Sequence, residues 1–195
     1  MAHETVRAGY DPLVDRLNRF PQGAPPSDVL YSILKMLFSE REAGLVALLP
    51  IRPFTAKRAA RVWKTTPAAA TAILEDLAGR AVLLDMESVD GKRTFVLPPP
   101  MAGFFEFSLM RVRGDLDQKM LSELFYQYLN VEEDFIKALF TDGQTQLGRV
   151  FVHEAVVPLG NGIQVLDYER ASEVIRSASH RGVGVCYCRH KMEHV

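Results

Sequence analysis

Cysteine is scarce in this sequence, and the two that occur, Cys186 and Cys188, are separated by one residue. A disulfide between such near neighbours would be strained, so no disulfide framework is expected. The chain also lacks an apolar run of the roughly 18 residues that a membrane-spanning helix needs. Residues 1–20 mix charged and aromatic side chains and lack the apolar core of a secretory signal. These absences predict a cytoplasmic protein that does not insert into a membrane.

An excess of one charge sign is absent as well. The 195 residues include 23 lysines and arginines and 24 aspartates and glutamates, which gives a formal net charge of −1. Nucleic-acid-binding proteins usually carry a basic footprint, and this balance leaves room only for a local patch. No nucleophile with a partner base is apparent, and residues 160–162 lack the strand and helix that flank a phosphate-binding loop. We therefore expect no catalytic activity in this chain, although it could be a redox subunit.

Capping and turn residues in the N-terminal half predict four helices. Ser27 and Thr55 are typical N-caps, and Ser39 with Glu42 matches the capping-box pattern. Pro67 suits the first position of the fourth helix. The spacing of the apolar residues places one hydrophobic stripe on each helix.

A β-hairpin is predicted after these helices. Two apolar segments, 81–84 and 94–97, flank Asp90-Gly91, a strong signal for a hairpin turn. Helices around a turn, followed by a hairpin, are typical of a winged helix, in which the hairpin forms the wing. We therefore assign residues 27–99 to a winged-helix domain.

The predicted fold class is mainly α with a small β component, a winged helix-turn-helix followed by a helical region and a small α/β segment. Residues 1–26 are expected to form an N-terminal arm that contains one short amphipathic helix. Residues 100–145 are the helical region, and residues 146–195 are the α/β segment that ends in the cysteine motif.

Three elements are predicted within that α/β segment. Residues 147–152 favour a strand, and residues 168–179 favour a helix with Val174 and Ile175 facing inward. Residues 182–186 are predicted to be a short buried strand that leads to the cysteines.

Basic residues cluster beside the predicted helix-turn-helix. They lie on the third helix and at the wing tip, where they could neutralise phosphates: Lys57, Arg58, Arg61, Lys64, Lys92 and Arg93. The recognition helix offers almost no side chain that reads base edges, and its acids Glu75 and Asp76 would repel phosphates. The same basic residues could equally form a solvated helix face.

The Cys186-x-Cys188 pair suggests metal chemistry. Thiolates are soft ligands for iron–sulfur clusters, zinc or copper, and two cysteines this close can reach one metal centre where the backbone turns. Arg189 could offset the negative charge of a thiolate-bound cluster. Two inert cysteines at the end of a strand are the alternative interpretation.

Zinc is another candidate metal. The chain offers four ligands in C-x-C-x-H-x₃-H spacing: Cys186, Cys188, His190 and His194. The start of this motif is geometrically tight, and terminal residues tend to fray. We therefore expect His190 and His194 to be exposed tail residues.

Residues 184–191, Gly-Val-Cys-Tyr-Cys-Arg-His-Lys, resemble the start of a motif from a bacterial and archaeal family. Its members join an N-terminal winged-helix region to four-iron–four-sulfur ferredoxin-type domains. Residues 40–43 are similar to the opening of a helix in this family, and residues 98–106 resemble the segment after the wing. Residues 165–169 resemble the segment before the cysteines, so the resemblance covers most of residues 27–195.

The resemblance implies an iron–sulfur electron-transfer protein with a redox partner protein, in which the winged helix is a scaffold or docking module. It also implies that Cys186 and Cys188 are cluster ligands. Family members carry further cysteines downstream, and a cluster normally takes four protein ligands. We therefore expect either a truncated sequence or ligands from another chain. The cluster should form in the full-length protein and be absent here, with a partly ordered tail after Cys188.

Two other functions remain open at this stage. One is a winged-helix transcriptional regulator whose metal or redox state controls DNA binding. The other is a non-enzymatic interaction module, in which an exposed aromatic segment at 104–107 and the middle helices form a homodimer interface.

Overall fold

The computed structural model describes residue 7, residues 9–141 and residues 167–195. The chain divides into two compact units, one formed by residues 1–147 and 185–195 and the other by residues 148–184. Helices dominate the described residues and the strands form one small antiparallel sheet, which confirms the predicted class of mainly α with a small β component.

The helices of the first unit are α1 (Asp11–Leu17), α2 (Asp28–Leu37), α3 (Glu40–Ala47), α4 (Ala56–Trp63), α5 (Pro67–Gly79), α6 (Phe105–Ser108), α7 (Gln118–Tyr126), α8 (Glu133–Phe140) and α10 (Tyr187–His194). The strands are β1 (Leu84–Glu87) and β2 (Arg93–Val96), which pair antiparallel. A wide turn, Pro100–Phe104, precedes α6, and a π-helical turn, Gln127–Val131, continues α7. No helix in the described part of the chain is long and apolar enough to span a bilayer.

Side-chain caps start the helices at the predicted residues. Ser27 and Thr55 accept hydrogen bonds from main-chain N–H groups in the first turns of α2 and α4. At the start of α3, Ser39 and Glu42 each accept from the other's main-chain N–H group, a complete capping box. Pro67 occupies the first turn of α5, and α5 packs against α4. Each cap satisfies a donor that the helix leaves without a partner.

The first strand of the hairpin begins at Leu84, later than the predicted segment 81–84. Ala81 has a left-handed φ of 61°, and the N–H groups of the next two residues bond the carbonyl of Leu77 at the end of α5. These residues therefore terminate the helix instead of joining the sheet. Gly91, with a φ of 76°, forms the turn at the predicted position, because only glycine adopts such a φ without strain.

Helix α1, predicted to belong to an arm, lies in a hydrophobic core that continues into the helical region. Its apolar face is buried in the same cluster as Phe104 and Phe105. Arg16 of α1 is fully buried, and its guanidinium donates to the carbonyl oxygens of Leu49 and Pro50 at 3.0 and 2.7 Å. Burial lowers the pKa of Arg16 to about 10. The arm and the two segments after it therefore share one core.

The aromatic segment that was predicted to be an exposed dimer interface is part of this core. Phe104 and Phe105 are fully buried, and the ring of Phe105 lies 5.0 Å from that of Phe125. A Cβ atom on Gly103 would lie 3.1 Å from the Cβ of Pro98, so glycine permits the close turn that brings the rings inward. The prediction of exposure was wrong because aromatic pairs of this kind gain most when they are removed from water.

The second unit contains α9 (Tyr168–Ser177), whose N-cap is Asp167. The prediction of a helix here is confirmed, but Val174 and Ile175 are exposed rather than inward-facing. A helical period predicts which residues share a face, not whether that face has a partner. The predicted strand at 147–152 lies outside the described residues.

The prediction of a buried strand at 182–186 is wrong. These residues do not belong to a strand, and Val183 is fully exposed. The N–H of Val185 donates to the carbonyl of Met110 at 2.8 Å. A single main-chain hydrogen bond does not make these residues a strand, because a strand needs a neighbouring strand and repeated pairs of main-chain hydrogen bonds. Cys186 instead marks the start of α10.

Candidate functional site

The two cysteines lie at the N-terminal end of α10. Cys186 is the N-cap residue, Cys188 lies in the first turn, and both are exposed. The first N–H groups of a helix have no partner within the helix and carry partial positive charge, which favours an anionic group beside them. Arg189, also exposed, follows directly. Two accessible thiols at the positive end of a helix suit a negatively charged, thiolate-bound cluster.

Tyr187, between the cysteines, anchors the pair. Its ring packs against the core at 6.2 Å from the ring of Phe125. Burial raises the pKa of Tyr187, and its hydroxyl forms no hydrogen bond with the described residues. Because the side chain between the thiols is fixed in the core, both cysteines are held at the surface.

His190 holds the next turn of α10 in place. It is 6% exposed, and its Nδ1 atom lies 2.8 Å from the carbonyl oxygen of Leu109. A carbonyl oxygen only accepts, so Nδ1 carries the proton. The prediction of an exposed His190 in a partly ordered tail was wrong, because packing and this hydrogen bond offset the entropy of ordering α10.

Lys191 is buried and lies one helical turn after Cys188. Its ammonium donates to Oδ1 of Asn130 at 3.0 Å and lies 5.8 and 5.5 Å from the ring centres of Tyr126 and Tyr187. Burial lowers the pKa of Lys191 below its usual value, and the nearby carboxylate of Glu106 opposes part of this shift.

The sequence reasoning missed Tyr187 and Lys191 as functional residues. The signal that could have found them is helical spacing, because His190 and Lys191 follow Tyr187 by three and four residues, which places all three on one face. These residues share a face only because residues 187–194 form a helix. The sequence instead predicted a strand at residues 182–186, followed by a tail.

The four residues predicted to hold zinc do not form one site. In residues 7, 9–141 and 167–195, no group of three or more histidine, cysteine, aspartate or glutamate side chains is arranged to hold a metal ion. The rings of His190 and His194 are neighbours, with centres 5.1 Å apart. His190 is bonded into the core, whereas both thiols are exposed. An iron–sulfur cluster normally takes four protein ligands, of which the cysteine pair would supply two.

Three of the predicted phosphate-binding residues lie on α4 and the fourth is its C-cap residue. All four are exposed, and we term them the basic face: Lys57, Arg58, Arg61 and Lys64. The opposite side of α4 is buried through Ala59 and Ala60. Among the described residues, none of the four basic side chains forms an ion pair.

The basic residues predicted at the wing behave differently. Arg93 pairs with Glu75 of α5 and, at 2.7 Å, with Asp85 of β1. Lys92 is exposed at the turn, where Asp90 accepts a hydrogen bond from its main-chain N–H at 3.4 Å. Arg93 is therefore occupied within the fold, whereas the side chain of Lys92 forms no ion pair with the described residues.

No protein-family model, curated protein or solved structure matches this chain. The family resemblance of residues 184–191 therefore stays a prediction.

Proposed function

We propose that this chain is the N-terminal part of an iron–sulfur redox protein in which Cys186 and Cys188 are ligands of a four-iron–four-sulfur cluster. The observation that carries the proposal is the fixed position of two exposed thiols at the start of α10. The winged-helix region would be a scaffold or docking module for a redox partner protein. The proposal places the protein in the cytoplasm, where reducing conditions keep both thiols available.

A bound cluster would supply one-electron transfer. The thiolates would hold it, and the free N–H groups at the start of α10 would offset its negative charge. Lys191 and Arg189 add positive charge close to the cysteines. Positive charge and hydrogen bonds near the sulfurs favour the reduced state, which is the more negative one, and therefore raise the reduction potential.

Two thiolates fill half of a four-ligand set. The proposal therefore requires two further ligands, either from residues outside this sequence or from a second chain. The other side of α10 is occupied, because Tyr187, His190 and Lys191 all contact the core. The missing ligands must approach from the exposed side, where both thiols lie.

Iron uptake tests the proposal. The product of the complete gene is reconstituted anaerobically with ferrous iron and sulfide, and iron per chain and visible absorption are measured. The Cys186→Ser, Cys188→Ser double variant should lose the iron and the colour. Met192→Ser, an exposed change on the same helix, is the matched control and should retain both. Circular dichroism on the same samples should be unchanged, because neither thiol is part of the core.

An iron-free, colourless wild-type protein would contradict the proposal, and so would full iron content in the double variant. The 195-residue chain, reconstituted in parallel, reveals where the other ligands come from. A stable cluster with the mass of a dimer would assign them to a second copy. An iron-free 195-residue chain beside an iron-loaded full-length protein would assign them to the remaining sequence.

A further inference from the structure

The cysteine motif does not account for the basic face of α4. The four residues of this face are exposed, over the stretch from Lys57 to Lys64. At about 1.5 Å per residue this stretch covers roughly 10 Å. Phosphates of one DNA strand rise by about 3.4 Å per step along the helix axis, so the face spans about three steps and is long enough to meet about four successive phosphates.

The positive charge of the basic face is not neutralised by the described residues. The surrounding arginines provide the contrast: Arg80 pairs with Glu42 and with Asp76, and Arg93 pairs with Glu75 and Asp85. Among the described residues, carboxylates therefore pair with Arg80 and Arg93, whereas none pairs with the basic face. An uncompensated cluster of this kind attracts a polyanion.

The helix that carries the basic face is held rigidly. Trp63 donates from Nε1 to the carbonyl oxygen of Leu45 on α3, at 2.8 Å. Phe54, just before α4, exchanges two main-chain hydrogen bonds with Phe95 of β2, at 2.9 and 2.7 Å. Because α4 is fixed to both a helix and the wing, the backbone that carries these charges needs no ordering when a ligand binds.

The neighbouring helix α5 would let a large ligand approach closely, but it carries no side chain of the kind that recognises bases. The exposed residues of α5 include Ala68, Ala69 and Ala72, whose small side chains let a large ligand come near. The hydroxyl of Thr66 caps α5, and the hydroxyl of Thr71 donates to a main-chain carbonyl. Base edges are read chiefly by Arg, Lys, Asn and Gln, which are absent from the exposed surface of α5.

We propose that the basic face binds the phosphate backbone of double-stranded DNA without reading its base sequence. An anionic membrane fits less well, because the apolar side of α4 is buried and cannot insert. A single strand fits less well, because binding single strands uses exposed aromatic rings and the aromatic residues beside α4, Phe54 and Phe95, are buried. The acids of α5 do not oppose the DNA strongly, because Glu75 and Asp76 are each paired with an arginine.

Fluorescence anisotropy with two duplexes of unrelated sequence tests this proposal on the 195-residue chain, without iron. Both should bind, with dissociation constants of about 10⁻⁴–10⁻⁶ M. Four phosphate contacts predict a slope of about −3.6 in a plot of log affinity against log salt, at about −0.9 per contact. The Lys57→Gln, Arg61→Gln variant should halve this slope and weaken binding by roughly two orders of magnitude at about 50 mM salt.

The matched control removes two exposed positive charges elsewhere, by Lys35→Gln and Lys119→Gln on α2 and α7. It should leave both the slope and the affinity unchanged. The proposal is overturned if neither duplex binds at about 50 mM salt, or if the control pair weakens binding as much as the α4 pair. If polyglutamate displaces the labelled duplex as strongly as unlabelled DNA does, the face binds acidic proteins and the proposal of DNA binding is overturned. A strong preference for one duplex would show base reading and would also overturn it.

Discussion

The Nδ1 atom of His190 lies 2.8 Å from the carbonyl oxygen of Leu109, and this bond ties the cysteine-bearing helix to the core. The two residues are 81 positions apart in the sequence. The N–H of Val185 bonds the next carbonyl, that of Met110, at 2.8 Å. Two successive carbonyls after α6 therefore fix the start of α10, and with it the position of both thiols.

Replacing His190 by alanine should loosen α10 specifically. The change leaves the buried carbonyl of Leu109 without its donor, which should cost about 1–3 kcal/mol. Hydrogen exchange of the α10 amides should accelerate, while the amides of α5 keep their protection. Glu193→Ala, an exposed change on the same helix, is the control and should leave both unchanged. Unchanged α10 protection in His190→Ala would show that the imidazole does not hold this helix.

The interior of the winged-helix region should depend on Leu74, which is fully buried on α5. Leu74→Asp places a carboxylate among apolar side chains and should abolish cooperative melting, because an unpaired buried charge costs several kcal/mol. Leu74→Ala should lower the free energy of unfolding by about 2–5 kcal/mol. Ala72→Asp, an exposed change on the same helix, should have a small effect. Cooperative melting of Leu74→Asp near the wild-type temperature would show that α5 is placed in the wrong register.

Much of the fold could be predicted because local chemistry specifies it. Ser27, Thr55 and the Ser39–Glu42 box each satisfy helix N–H groups within three residues, so the sequence alone reveals where those helices begin. The turn at Gly91 is local in the same sense. These features depend on no distant partner.

The cysteine-bearing helix could not be predicted in this way. Its order depends on contacts with Leu109 and Asn130, which lie 81 and 61 positions away from their partners. The run from Val183 to Cys186 has the composition of a buried strand, but the chain provides no strand beside it among the described residues. Likewise, the sequence shows Arg93 as a free cation, and only the fold pairs it with Glu75 and Asp85.

Tyrosine burial predicts how stability changes in alkali. Burial raises the pKa of Tyr187 and Tyr128 and, with the hydrogen bond to Asp11, raises that of Tyr31 to about 12. Above the ordinary tyrosine value of about 10, the unfolded chain loses these protons while the folded chain keeps them. The folded state then binds more protons, so the contribution of these tyrosines to the free energy of unfolding is constant below about pH 10 and falls as the pH rises further. Burial lowers the pKa of Lys191, which acts in the opposite direction.

Replacing Tyr187 by phenylalanine should reduce this alkaline loss. The ring contact with Phe125 survives, and the removed hydroxyl is buried and without a hydrogen bond among the described residues. Stability near pH 8 should therefore be unchanged or higher by about 1 kcal/mol, since a buried hydroxyl without a partner is destabilising. Urea unfolding near pH 8 and pH 10.5 gives the two free energies. Tyr168→Phe, whose parent residue is 81% exposed, should retain the full alkaline loss. An equal loss in both variants would mean that Tyr187 ionises as freely in the folded protein as in the unfolded chain.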